Sequence, residues 1–113
     1  MRPEDGDAAF MWDMREAARE VVLFVDARAY DEFVSDIQLR RSVERSIEII
    51  GEAASHVSSA VRDAHPELAW RAIIGQRNVL AHEYGDVRLD ALWLVATMRV
   101  PELISQLDGL IPI

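Results

Sequence analysis

Within the run Gln76-Arg77-Asn78-Val79-Leu80-Ala81-His82-Glu83-Tyr84-Gly85, an arginine, an asparagine, a histidine and a tyrosine fall inside eight residues. An imidazole titrates nearest neutrality, so it can give or take a proton under ordinary conditions. A guanidinium presents a fixed fork of donors that matches phosphate oxygens. A proton-transfer group beside a phosphate-binding cation is what phosphoryl-transfer chemistry needs. An Arg and a His near a helix end also occur as an ordinary polar cluster, and the spacing alone leaves both readings open. On an ideal helix Trp70, Ile73, Arg77, Leu80 and Tyr84 fall along one side, while Asn78 and His82, four apart, stack on neighbouring turns. Arg77 and His82 are five apart, or about 140° round the axis, a separation that a long Arg side chain can bridge. The end of a helix carries partial negative charge, which favours a protonated imidazole and hence a general acid.

The elements around this run read as helices. From Ala8 to about Arg28, Met14, Ala17, Ala18, Val21, Val22 and Val25 recur at three- and four-residue spacing, with Asp7 as the expected N-cap. A long second helix is expected from about Asp31 to Val61, where Val43, Ile47, Ile50, Ala54, Val57 and Val61 form a heptad-like seam suited to a partner helix. Gly51 interrupts it at a cost of about 1 kcal/mol relative to Ala, and Arg41, Glu44, Arg45 and Glu48 are placed to pair along its surface. Pro66 suits the first turn of a third helix, from about Glu67 to His82 or Glu83, with Gly85 as its cap. Asp86 is placed to cap a fourth, starting near Arg88, whose stripe is Leu89, Leu92, Ala96, Val100, Leu103 and Leu107; Pro101 predicts a kink or break. The class is all-α: one domain over 1–113, an up-and-down bundle of four or five helices without a sheet, preceded by a flexible leader over 1–7.

Composition narrows the function. The chain is 50% hydrophobic and 28% charged, as expected of a folded domain. Its net charge is −8, and all 12 basic residues are Arg, so contact with nucleic acid must rest on a local patch or a partner. The absence of cysteine excludes disulfides and thiolate metal sites and suits the cytoplasm. His56, His65 and His82 share no metal-ligand spacing, so no metal or other cofactor is expected. The longest strongly apolar run, Val21 to Val25, is too short to span a bilayer.

The stretch from Ile73 to Tyr84 closely resembles the signature of the HepT-like toxins, a branch of the HEPN superfamily: Arg, a polar residue, three more positions and a His, then one residue and a Tyr. Arg41 to Arg45 leading into Glu48 to Ala54 is similar to the family's second helix, and Val100-Pro101-Glu102-Leu103 to its C-terminal helix. His65-Pro66-Glu67 with Trp70-Arg71 resembles the entry to the third, although Ala69 stands where the family often has Pro. The resemblance spans roughly Ala8 to Leu107. It implies a symmetric homodimer whose paired motifs face one cleft, and a metal-independent endoribonuclease toxin of a type VII-like toxin–antitoxin pair. On that resemblance His82 is the general acid/base, Arg77 stabilises phosphate charge and Asn78 supports the motif. The implied partner is a minimal nucleotidyltransferase antitoxin that transfers AMP to Tyr84, with larger assemblies open in that complex. A non-catalytic HEPN module that docks a nucleotidyltransferase is the alternative, and a purely structural dimerisation domain is a third.

Overall fold

The computed structural model describes residues 2–4, 6–82 and 88–111, with 77–82 described as helix backbone. Among the described residues there is no strand, and the chain is all-α. Helix α1 (Gly6–Val25) buries Met14, Ala17, Ala18 and Val21 of the stripe that the spacing marks, and Val22 and Val25 are half-buried against the same core. It stops before Arg28 because Ala27 takes a left-handed conformation (φ 56°), which lets the Arg28 N–H donate to the Val25 carbonyl at 3.0 Å.

The expected helix over 31–61 is three helices. They are α2 (Tyr30–Ser35), α3 (Ile37–His56) and α4 (Ser59–Ala64). The first break falls at Asp36, whose extended backbone caps α3: its carboxylate accepts from the Leu39 N–H at 3.0 Å and from Arg28 Nη2 at 2.9 Å. The Leu39 N–H, followed by Arg28, holds the Asp36 carboxyl below the usual carboxylate range. The second break falls at Val57, also extended, followed by Ser58, whose Oγ accepts from the Val61 N–H at 3.3 Å. Val57 still reaches the core, at 1% exposure. The seam therefore persists in space while the backbone changes conformation beneath it.

Asp7 does not cap α1 as expected. It lies in the first turn, and its carboxylate accepts from the Ser58 N–H at 2.7 Å and from Ser58 Oγ at 2.8 Å, fastening the start of α1 to the start of α4. These two bonds, the backbone one foremost, lower the Asp7 pKa. A depressed carboxylate stabilises the fold above its unfolded-state pKa, and that contribution fades as pH falls through the lower folded value. Asp7→Ala should accordingly lower the urea midpoint at neutral pH, and the gap to wild type should close below about pH 4 as both states protonate. An equal gap at both pH values in equilibrium urea titrations would disprove this role.

Helix α3 is the centre of the bundle. It packs on α1 on one side and on α5 (Trp70–His82) on the other. Val43, Ile47, Ile50 and Ala54 are at most 4% exposed within the single chain. Burying each of the three larger side chains contributes about 1.5–3 kcal/mol. The seam is thus used inside the subunit, against α1 and α5. On the outer face of α3, Arg41 pairs with Glu44 at 3.0 Å and Arg45 with Glu48 at 3.1 Å, as the spacing implied.

Helix α5 begins at Trp70, three residues later than expected, so Pro66 sits in the preceding turn rather than in a helix. Leu68 is buried in that turn, and the indole N–H of Trp70 donates to the His65 carbonyl at 2.9 Å. The C-terminal helical segment comprises α6 (Leu89–Leu94), a π-helical turn (Val95–Arg99) and α7 (Val100–Asp108), with Leu92, Ala96, Val100, Leu103 and Leu107 buried. Pro101 produces a widened turn rather than a break. It has no N–H to give to the turn before it, and the Val100 N–H reaches back five residues to the Val95 carbonyl. Arg88 precedes α6 without a side-chain cap; Asp86 and Gly85, expected as caps, lie outside the described residues.

Candidate active site

Positions 77, 78 and 82 lie on the last two described turns of α5, in one uninterrupted helix. The backbone thus brings Arg77, Asn78 and His82 onto a single element, and Tyr84 lies outside the described residues. The first half of α5 sets the register. Trp70 is buried, Ile73 and Ile74 are half-buried against the core, and Arg71 and Ala72 are exposed. At 3.6 residues per turn, position 77 continues the line of Trp70 and Ile73, while positions 78 and 82 continue the line of Arg71 and Gly75.

Beside α5 runs a groove of about 420 Å³. Ile47 and Ile50 of α3 form its floor, Ala72, Ile73 and Gln76 one wall, and Val95, Arg99 and Leu103 the other. The π-helical turn contributes two of those residues, a feature the sequence signals only through Pro101. Gln106 Nε2 donates to the Glu67 carbonyl at 3.0 Å, tying α7 to the segment that enters α5.

The other two histidines are engaged elsewhere: His56 stacks on Phe10 with ring centroids 5.0 Å apart, and His65 Nδ1 lies 3.3 Å from Glu67. Among the described residues no group of three His, Cys, Asp or Glu side chains could hold a metal ion. Most arginines outside α5 are matched to carboxylates, among them Arg2 with Asp13 at 2.8 Å, Arg15 with Asp108 at 3.1 Å and Arg88 with Asp90 at 2.8 Å. The Arg88 guanidinium, with the Ala91 N–H, holds the Asp90 carboxyl below its usual range. Among the described residues no helix is long and apolar enough to cross a membrane.

An all-α bundle whose third long helix carries an Arg-Asn-x3-His run defines the class. The model of the ribonuclease HepT-like family matches residues 14–110, and the chain belongs to that family. It is 32% identical over 100 residues to "Putative RNase MJ1380" of Methanocaldococcus jannaschii, covering 88% of this chain and 92% of that one. It is 35% identical over 83 residues to "Putative RNase TTE0752" of Caldanaerobacter subterraneus subsp. tengcongensis, covering 74% of each. "Probable ribonuclease HepT" of Thermococcus cleftensis is 29% identical over 101 residues, covering 89% of this chain and 92% of that one. No solved structure matches the chain.

Proposed function

We propose that the chain is a metal-independent endoribonuclease toxin that works in the cytoplasm as a homodimer. The observation that supports this most is the family match over 14–110 together with Arg77, Asn78 and His82 on the last described turns of one helix. In the proposed reaction an imidazole takes the proton of a ribose 2′-hydroxyl. The 2′-oxygen then bonds to the adjacent phosphorus, and the bond from phosphorus to the 5′-oxygen breaks. The leaving 5′-oxygen receives a proton, and the products end in a 2′,3′-cyclic phosphate and a 5′-hydroxyl. The two proton transfers fall to the His82 side chains of facing subunits, and Arg77 offsets the charge that builds on the phosphate oxygens. Asn78 supports the motif or donates to a phosphate oxygen.

Control falls to a nucleotidyltransferase partner, the antitoxin. The Tyr84 hydroxyl attacks the α-phosphate of ATP, AMP is joined to the tyrosine oxygen and pyrophosphate leaves. The added phosphate carries negative charge two positions from His82 and repels RNA over a distance shorter than the screening length. Co-expression with that partner should raise the intact mass by one AMP and abolish RNA cleavage measured in EDTA. Tyr84→Phe should keep its mass and its cleavage. An unmodified wild-type chain, or a modified chain that cleaves at the unmodified rate, would count against this control. The net charge of −8 favours a second reading, a non-catalytic module that docks the nucleotidyltransferase. A stable complex with no RNA cleavage at any protein concentration would select it.

A further inference from the structure

We propose that Arg71 binds a phosphate of single-stranded RNA beyond the one that is cut, so that one stripe of α5 follows the strand; the proposal rests on the ribonuclease reading above. On a 3.6-residue helix, positions 71, 75, 78 and 82 fall within an arc of about 60°. The helix runs unbroken from Trp70 to His82, so the four positions form one line along it. Position 71 lies about 10 Å along the axis from position 78 and about 16 Å from position 82. That span exceeds a single internucleotide linkage, so a guanidinium at its start meets a phosphate other than the scissile one.

The surroundings of Arg71 differ from those of the arginines matched to carboxylates. It is exposed and makes no hydrogen bond or ion pair among the described residues. In a chain of net charge −8 a cation with no ion pair among the described residues keeps its attraction for an external anion. Gly75, one turn further along the same stripe, adds a second observation. A Cβ built there would meet nothing within 4 Å among the described residues, so their packing does not require a glycine. A glycine inside a helix costs about 1 kcal/mol relative to alanine. Its missing side chain leaves a flat place between Arg71 and position 78 over which a sugar–phosphate backbone passes closely. Contacts to phosphate fix register without reading bases, so the stripe selects for strand length and not for sequence.

The test uses a long single strand carrying 2′-O-methyl groups, which lacks the attacking hydroxyl and reports binding without cleavage. Loss of one phosphate contact should flatten the slope of log affinity against log salt by about 0.7 for Arg71→Ala, which is about fivefold in affinity at 0.1 M salt relative to 1 M. Arg71→Lys should restore most of the slope, and Gly75→Gln should weaken binding by crowding the stripe. In cleavage of the unmodified strand, Arg71→Ala should raise KM and leave kcat, and it should leave cleavage of a dinucleotide unchanged. An unaltered salt slope, an equal loss on the dinucleotide, or no binding of the strand by the wild-type protein would overturn the proposal. If the strand binds through Arg71 but no RNA is ever cut, the ribonuclease reading fails and the phosphate site stands. If cleavage needs His82 while Arg71→Ala changes neither readout, the reverse holds.

Discussion

His82→Ala should lower the rate of RNA cleavage by about 10²–10⁴-fold, the range that positioned proton transfer supplies, or about 2.7–5.5 kcal/mol of barrier. One imidazole as base and another as acid predict a rate that rises and then falls with pH. Arg77→Ala should cost about 10²–10³-fold through lost charge stabilisation, with little change in the shape of the pH profile. The two losses should not add, because both residues act on one transition state. Single-turnover rates for the two single variants and the double variant, with urea midpoints as the folding control, check this. If His82→Ala cleaves within a few-fold of wild type, the proton-transfer role is wrong.

Phe33→Ala should remove about 3–5 kcal/mol of stability. Phe33 is 0% exposed, and it is the buried residue of α2, a helix of only six residues. Its ring centroid lies 5.1 Å from that of Trp93 at an interplanar angle of 40°, and Tyr30 meets the same indole at 6.2 Å. An aromatic pair of this kind adds about 0.5–1.5 kcal/mol to the area it buries. Truncation leaves a hole between α2 and α6, just before the π-helical turn. A domain of ordinary stability has about 5–15 kcal/mol in total, so the variant should sit near its unfolding threshold. Val34→Ala, next to it on α2 and 37% exposed, should change stability by no more than about 0.5 kcal/mol. Equilibrium urea unfolding separates the two, and a loss below about 1 kcal/mol for Phe33→Ala would show that α2 is not anchored there.

The buried stripes were legible in the sequence because burial follows side-chain chemistry. Met14, Ala17, Ala18 and Val21 on α1, and Leu92, Ala96, Val100, Leu103 and Leu107 in the C-terminal helices, are buried where periodicity placed them. Helix limits were less legible because they depend on contacts distant in the chain. The apolar spacing runs through Val57 without interruption, yet the backbone there is extended, and Asp7, 51 residues away, bonds to the Ser58 that follows. A heptad-like spacing also cannot tell an internal seam from an external one, and α3 uses its seam on α1 and α5. Pro101 announced an irregularity but not its form, since a widened turn and a sharp kink both accommodate a missing N–H. The candidate site stands out in the sequence as a run of residue types; the backbone positions of Arg77, Asn78 and His82 fall on the helix over 70–82, and Tyr84 lies outside the described residues. Arg71 drew notice in the sequence only within the segment leading to α5. Its place on the line of positions 75, 78 and 82 emerges once the start of the helix is fixed at Trp70.

The most direct test is the chemistry of the ends left on RNA after incubation with the purified protein in excess EDTA. The account predicts 2′,3′-cyclic phosphate and 5′-hydroxyl ends from the wild-type chain and intact RNA from His82→Ala over the same interval. Ends bearing a 3′-hydroxyl and a 5′-phosphate, or the same cyclic ends made equally fast by His82→Ala, would contradict it.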